Sequence, residues 1–588
     1  MPTIGLPLVH ETDIDGVRAF WGQVPGPFRA GLVLRAGSAD EPLAVSGVTH
    51  LLEHLALFGL TGPGDHANGQ VDQTITAFHR SGDAAEVSGF LEALTRQLAE
   101  PPLHRLADER RVLQTEAAGR SAPMEENLLL WRYGACGYGV AAFEGLGLPR
   151  VDAAVVGEWA RRFATRGNAV LWFSGPPPAG LRLALPDGPA VPAPDPWSSI
   201  QPAFPAYFGG PDGGIALSAV LPASPAGDAL AKTAGARLFD ELRTRRAVAY
   251  SPQAGYRAVT ADAGFLTLFS DLATGRQSDG VRPFLALLDD LAGRGNGAPA
   301  RSEEVAAWRE RLARDLAEPD AVLGLVTRQA LRAALGGTPQ EPHEVWDAIE
   351  AVRPEDVAAA AEAARATALA RVPSGIRVVR QPWHPAVGTQ FEPLPRPGFT
   401  PAGHAREPRE DLVVSPAGVT LYRGEAHVTV TRGTAVAVQA WPDGRRVVIS
   451  SEGNQVLVEP SLWLGGPEAV ARIDALWGPG LHVPMPPRRP GEIPVPPPPV
   501  GPGAPAAPGR AAQATGWRAG SLLVRWVVRR GLLLILAAYL AIVAVAGFQM
   551  AGEESSTSEA AVDVVIGLVF LAAGTFLALF LARDLRRR

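Results

Sequence analysis

The chain has 588 residues, which is long enough for several domains, each with its own hydrophobic core. Its net charge is −6, and the sequence shows no basic stripe with interleaved aromatic residues, so its pattern excludes nucleic acid as a partner. The one cysteine, Cys136, cannot form an internal disulfide, so the chain needs no oxidising compartment.

Residues His50, Glu53 and His54 form a pattern typical of a metal-binding helix. A rotation of about 100° per residue places the two histidines one above the other, with Glu53 beside them on the same face. Two imidazoles can then hold one metal ion while the carboxylate faces a metal-bound water. A bare pair of histidines is more often a surface or hydrogen-bonded pair. The order His-x-x-Glu-His, however, is the inverted zinc-peptidase signature, and it predicts a zinc site.

The neighbouring segments extend this pattern into a family resemblance. Residues 47–59, together with residues 36–42, resemble the metal helix and the chain leading into it in the insulinase/pitrilysin family of zinc metallopeptidases. That resemblance implies a third metal ligand from a later helix, which residues 108–116 resemble. Glu116 is the expected ligand. Glu109 lies two turns earlier on the same helix face and is expected to support the site from behind Glu116. Without the upstream motif, Glu116 would be read as a solvated helix carboxylate.

Two further segments resemble the substrate-binding parts of the same family. Residues 67–78 resemble an Asn-led segment and its following strand, which implies that Asn68 binds the substrate backbone. An Asn-Gly pair by itself is more typical of a turn. Residues 239–250 resemble a motif whose Arg and Tyr, seven residues apart, reach the substrate at the zinc. Arg243 and Tyr250 match that spacing, and a guanidinium and a phenol can stabilise an oxyanion.

The pattern of strands and helices predicts an α+β fold with several domains. Two tandem insulinase-like α+β domains are expected at residues 1–175 and 204–378, separated by a proline-rich joint. In the resembling family, two such domains form one half of a clamshell. Short strand-like runs closed by one helix predict a β-rich domain over residues 409–480. It resembles a pleckstrin-homology-like (PH-like) barrel, and a generic small β domain explains the pattern equally well. A proline-rich linker follows over residues 483–520.

The C-terminal sequence predicts a membrane attachment. Residues 531–552 and 564–582 are uncharged apolar runs, and about 20 such residues span a bilayer. Arginines flank the pair of runs and the loop between them carries none, which places both ends in the cytoplasm. The N-terminus lacks the basic start and apolar core of a signal peptide. The sequence therefore predicts a multi-pass protein of the cell (cytoplasmic) membrane, with the catalytic domains on the cytoplasmic side.

The resemblance implies a zinc-dependent endopeptidase or oligopeptidase acting on peptides, and the two C-terminal apolar runs imply that it is membrane-tethered. His50, His54 and Glu116 would hold the Zn²⁺ ion, and Glu53 would be the general base. Because the chain carries one clamshell half, a homodimer or a pairing with a related half is expected. Two alternatives remain open. One is a catalytically silent insulinase-like scaffold or binding subunit at the membrane, and the other is a two-span membrane sensor.

Overall fold

The computed structural model of the chain describes residues 8–62, 66–119, 124–210, 213–318, 320–402 and 409–496. All of them lie in one compact unit, Met1–Pro499, whereas the second unit, Val500–Arg588, lies outside the described residues. Within the first unit the elements form three modules, each built around β-strands. The first two modules position the candidate site, and the third packs against the first.

The first module is a six-stranded, mostly antiparallel sheet in the order β1-β2-β6-β3-β5-β4. Its strands are β1 His10–Ile14, β2 Val17–Trp21, β3 Phe28–Leu34, β4 Ala67–Val71, β5 Thr76–Gly82 and β6 Ala169–Phe173. Its helices are α1 Val48–Leu57, α2 Ala84–Ala99, α3 Leu106–Gly119, α4 Met124–Tyr133 and α5 Ala153–Phe163. Side chains alternate along β3: Leu32 and Leu34 pack in the core that α1, α2 and α5 share, whereas Val33 packs on the opposite face.

The second module repeats this arrangement with the strand order β12-β7-β11-β8-β10-β9. Its strands are β7 Ala206–Gly210, β8 Ile215–Pro222, β9 Gln253–Ala258, β10 Ala263–Ser270, β11 Leu369–Pro373 and β12 His384–Pro385. Its helices are α6 Pro225–Leu238, α7 Gln277–Leu291, α8 Ser302–Ala317, α9 Ala321–Ala334, α10 Pro342–Glu350 and α11 Pro354–Ala366. A π-helical segment, Phe239–Arg245, continues α6. In chain order α6 lies between β8 and β9, just as α1 lies between β3 and β4 in the first module.

Each of these two modules supplies a helix to the other module's sheet. Helix α9 packs on the open face of the first sheet, where Val326 contacts the cluster that contains Phe20 and Val33. Helix α4 packs on the open face of the second sheet, where Leu128 joins the cluster that contains Phe208. Both sheets are therefore covered on two faces, and the two modules share buried apolar surface.

The third module contains a three-stranded sheet and a four-stranded sheet. The strands are β13 Glu410–Ser415, β14 Gly418–Arg423, β15 Ala426–Thr431, β16 Ala435–Ala440, β17 Arg446–Ser450, β18 Gln455–Val458 and β19 His482–Pro484. Helix α12, Gly466–Leu476, lies between β18 and β19, and its Ile473 is buried in the module's core. The final strand, β19, pairs in parallel with β16 and lies beyond residue 480.

The mixed α and β architecture expected from the sequence is confirmed, but the predicted localisation is not. Among the described residues, no helix has both the length and the apolar composition needed to cross a membrane. The expectation of a multi-pass membrane protein with its catalytic domains on the cytoplasmic side is therefore contradicted. The two apolar runs, 531–552 and 564–582, lie outside the described residues, as does the linker from residue 497 onward.

Candidate metal centre

Helix α1 has a buried carboxylate at its N-terminus. The Glu41 carboxylate is 5% exposed and accepts hydrogen bonds from the backbone N–H groups of Gly47 (2.7 Å) and Thr49 (2.8 Å). The first N–H groups of a helix lack partners within the helix, and the helix dipole favours negative charge there. Burial raises the pKa of the Glu41 carboxyl to about 7, although these hydrogen bonds favour its charged form. Glu41 therefore fixes the start of the helix that carries the two histidines.

The helix brings His50, Glu53 and His54 together. One ligand atom from each of the three residues lies within 4.8 Å of the others. Each histidine Nε2 lies 3.8 Å from Glu53 Oε2. The two imidazole rings are nearly perpendicular, with centroids 4.9 Å apart. The local helix period therefore produces the clustering that the sequence predicts.

Glu116 reaches the same point from helix α3. Its Oε2 lies 3.9 Å from His50 Nε2 and its Oε1 lies 3.8 Å from His54 Nε2. Two imidazole nitrogens and a carboxylate oxygen are the donor set of a catalytic zinc, and their mutual distances allow them to surround one small cation. The second carboxylate, that of Glu53, adds negative charge at the same point. The residues present therefore fit a divalent metal ion.

Glu109, expected behind Glu116, contacts His54 in the structure. His54 Nδ1 is 3.4 Å from Glu109 Oε2, and the other Glu109 oxygen is 3.4 Å from the Arg105 guanidinium. With its proton on Nδ1, His54 donates to Glu109 and its Nε2 lone pair faces Glu116. Carboxylates in this position fix the tautomer and orientation of a metal-binding histidine.

The Glu53 carboxyl is the most buried charged group of the cluster, with a side chain 6% exposed. Burial, assisted by the negative charge of Glu116, raises its pKa to about 7. A carboxyl group with a pKa near neutrality can accept and return a proton at physiological pH.

Strand β4, one of the two edge strands of the first sheet, lies against Glu53. A Cβ atom placed on Gly69 would lie 2.0 Å from Glu53 Oε1, so only glycine leaves space for the carboxylate. Neighbouring side chains of a strand point to opposite faces. Asn68, which is exposed, therefore lies on the face turned away from Glu53.

The second sequence-predicted pair, Arg243 and Tyr250, lies in the second module. The Arg243 guanidinium donates to the Tyr250 carbonyl at 3.0 Å and lies over the rings of Tyr250 and Phe239. The Tyr250 backbone N–H donates to Asp271, and the Tyr250 residue is 71% exposed. For both side chains, the hydrogen bonds and ring contacts among the described residues stay within the second module. The structure thus pairs these two residues with each other.

Sequence reasoning did not identify Glu41 or Gly69 as parts of this site. Both lie inside segments that carry the family resemblance, residues 36–42 and 67–78. A glutamate six residues before Gly47 and a glycine directly after Asn68 were the available signals. Their roles depend on contacts between separate elements, which no local pattern shows.

Comparison with solved structures finds proteins of similar fold. A protease from Helicobacter pylori matches with a TM-score of 0.52 at 17% identity, covering 63% of this chain and 100% of that chain. The inactive domain of a peptidase M16 from Pseudomonas fluorescens matches with a TM-score of 0.50 at 16% identity, covering 62% of this chain and 98% of that chain. A chain of Complex III2 from Candida albicans, with Inz-5 bound, matches with a TM-score of 0.50 at 15% identity, covering 62% of this chain and 95% of that chain.

These matches establish the fold alone. The chain has an M16 peptidase-like fold, and one of its structural neighbours is an inactive domain. No family model matches the sequence, and no curated protein matches it. The chemistry must therefore be argued from the residues of the site itself.

Proposed function

We propose that the protein is a zinc-dependent peptidase. The observation that carries this proposal is the convergence of His50, His54 and Glu116 from two helices onto one point, with the buried carboxylate of Glu53 beside it. An inactive relative would need only the fold, whereas this site has two imidazoles and two carboxylates gathered at one point. The M16 peptidase-like fold supports the same reaction class.

His50, His54 and Glu116 would hold the zinc ion, with Glu109 orienting His54. Bound zinc would supply a Lewis acid and a water of lowered pKa. Glu53 would accept the proton of the attacking water and return it to the leaving amine. Burial raises the pKa of Glu53, which suits a group that must take up a proton and give it back.

The substrate would bind as an extended strand along β4. The Ser81 N–H donates to the His66 carbonyl, and the Asp72 N–H donates to the Ile75 carbonyl. The backbone N–H and C=O groups of the even-numbered residues of β4 therefore point toward β5. The backbone groups of Gly69 therefore face away from β5, at the outer edge and beside Glu53. A peptide paired there by strand addition has its backbone at the catalytic carboxylate. Asn68 would contact the substrate from the other face of the strand.

A second copy of the chain, or a related half, would complete the site. Arg243 and Tyr250 are exposed on the second module and have the chemistry to hold a carbonyl oxygen as negative charge develops. In a two-fold dimer, these residues of one protomer reach the metal centre of the other. An enclosed site between two such halves would favour unfolded or short peptides.

The test of the proposed function compares three variants of the full chain. His50→Ala and Glu116→Ala should lose bound zinc, whereas Glu53→Gln should retain zinc and lose at least about 100-fold of the rate of peptide hydrolysis. Zinc content by elemental analysis and cleavage of a peptide library measure the two properties. A Glu53→Gln protein with full activity would contradict the assignment of the base. Wild-type protein that binds zinc and cleaves nothing would indicate a silent scaffold.

A further inference from the structure

The third module packs on the chain segment that leads into α1. Three of its strands, β16, β17 and β19, contribute to a buried apolar cluster that also contains first-module residues. The first-module members come from the short turn Leu43–Val45 and from the segment after α4. The fully buried members are Leu43, Ala44, Ala135 and Val140 of the first module and Ala437, Val447, Ile449 and Val483 of the third. We call the latter four residues the docking face.

The backbones of the two modules touch beside this cluster. The Ala135 N–H donates to the Ser451 carbonyl at 2.7 Å. Gly134 has a φ of +70°, and a Cβ atom there would lie 2.1 Å from the Ser451 carbonyl oxygen. A buried apolar cluster together with a direct backbone contact fixes the position of the third module on the first.

The turn Leu43–Val45 connects this contact to the metal centre. Its first two side chains pack against the docking face, whereas its last side chain packs with Val48 in the core of the first module. The three-residue turn is therefore held between two apolar cores. It is joined through Ser46 and Gly47 to α1, and His50 lies in the first turn of that helix.

Glu41 adds a polar restraint at the same place. Its carboxylate, just before the turn, accepts hydrogen bonds from Gly47 and Thr49 at the start of α1. The geometry of this carboxylate depends on the path of the turn between it and the helix. The turn and the Glu41 carboxylate therefore act together on the backbone at the start of α1, the part of the helix that carries His50.

We infer that the third module is an internal support of the metal centre: its docking face fixes the turn Leu43–Val45 and thereby positions His50 for metal binding. This inference rests on the proposed function for the identity of the metal. Val447 and Ile449 are positioning residues, because they act through the turn and touch neither metal nor substrate. Residues that orient metal ligands from outside typically change metal affinity by about 10 to 100-fold when they are altered.

The chain offers matched control variants for the test. Val447 and Val448 are neighbours on β17, and they face the first module and the third module's own core, respectively. Ile449 on the docking face is matched by Ile473 of α12, which is buried in the third module's own core. Within each pair the substitution removes the same atoms from a buried position, so a general loss of stability affects both members.

The zinc dissociation constant of the full chain is measured by competition with a coloured chelator. Val447→Ala and Ile449→Ala should raise it by about 10-fold, whereas Val448→Ala and Ile473→Ala should lower the melting temperature but leave the dissociation constant within about twofold. Equal effects on the dissociation constant within each matched pair would overturn the inference.

Amide hydrogen exchange of the metal-free protein tests the inference without relying on the identity of the metal. Val447→Ala should increase exchange in residues 43–51 more than Val448→Ala does, because the turn loses its support. Unchanged exchange in that segment would overturn the inference even if wild-type protein binds zinc. Wild-type protein that binds no zinc, with increased exchange in Val447→Ala, would refute the proposed function and leave the support role intact.

Discussion

Gly69 lies where any side chain would meet the Glu53 carboxylate. Replacing it with alanine places a Cβ atom 2.0 Å from Glu53 Oε1, so the carboxylate must move. Because displacement of a catalytic group by about 1 Å can cost about 100-fold in rate, Gly69→Ala should lower kcat/KM by roughly that factor. Zinc content should stay close to one ion per chain, since His50 and His54 remain in place.

The matched control is Gly89→Ala in α2. A Cβ atom on Gly89 meets nothing within 4 Å, and alanine favours a helix interior over glycine by about 1 kcal/mol. This variant should keep full activity and gain slightly in melting temperature. Equal activity of the two variants would show that the contact between β4 and Glu53 does not position the base.

Glu41 should make the stability of the protein depend on pH. Its pKa in the folded state is about 7, above the ordinary value of 4.5, so the folded protein retains this proton while the unfolded chain releases it. The stabilisation is fully present below about pH 4.5 and is lost as pH rises to about 7. Glutamine stays neutral throughout. The melting temperature of wild type minus that of Glu41→Gln should therefore fall between about pH 5 and about pH 8. A constant difference would refute the role of this carboxyl.

At the residue scale, the sequence predicts what is local. His50, Glu53 and His54 converge because they share one helix, and the helix period is known in advance. Glu116 could be assigned only through the family resemblance, because its position depends on how α3 packs against α1. The capping role of Glu41 depends on the path of the intervening turn, which sequence spacing does not determine.

At the scale of elements, α4 and α9, the helices that each cover the other module's sheet, identify side chains that matter for stability. Leu128 of α4 is 1% exposed and packs on the second module's sheet. Leu128→Ala should lower the free energy of unfolding by about 2 to 5 kcal/mol, whereas Leu464→Ala, at a residue 60% exposed, should change it by at most about 0.5 kcal/mol. Chemical denaturation of the full chain measures both. Effects of equal size would mean that α4 contributes nothing to the second module.

The packing of α4 and α9 on each other's modules was not predictable from the sequence. The apolar pattern of α9 shows that one side of the helix is buried, but any apolar surface would satisfy it. The structure shows that α9 covers the sheet of the preceding module. Strand β19 was missed because three residues are too few to show an alternating pattern.

At the scale of the whole molecule, mixing two inactive variants tests the shared site. Glu53→Gln inactivates the metal centre of its own protomer, and Arg243→Ala removes the group offered to the partner. If the proposed two-fold dimer forms, half of a random mixture is heterodimeric and one of its two sites is complete. Activity should then return to about a quarter of the wild-type level.

Two outcomes of the mixing experiment would contradict the shared site. One is a fully active wild-type monomer by light scattering. The other is no recovery of activity after subunit exchange has been demonstrated with labelled protomers. Either result would leave Arg243 and Tyr250 as a structural pair of the second module.

The exchange of helices between the first two modules also constrains the order in which a newly made chain can fold. Strand β6 completes the first sheet at Phe173, but α9, which covers that sheet's second face, begins only at Ala321. Domains generally fold from the N-terminus during synthesis. Here the first sheet leaves the ribosome with Phe20, Val33 and Val170 uncovered, and they stay uncovered until most of the second module has been translated. The nascent chain therefore exposes an apolar surface until α9 has been made, and transiently exposed surfaces of this kind favour aggregation.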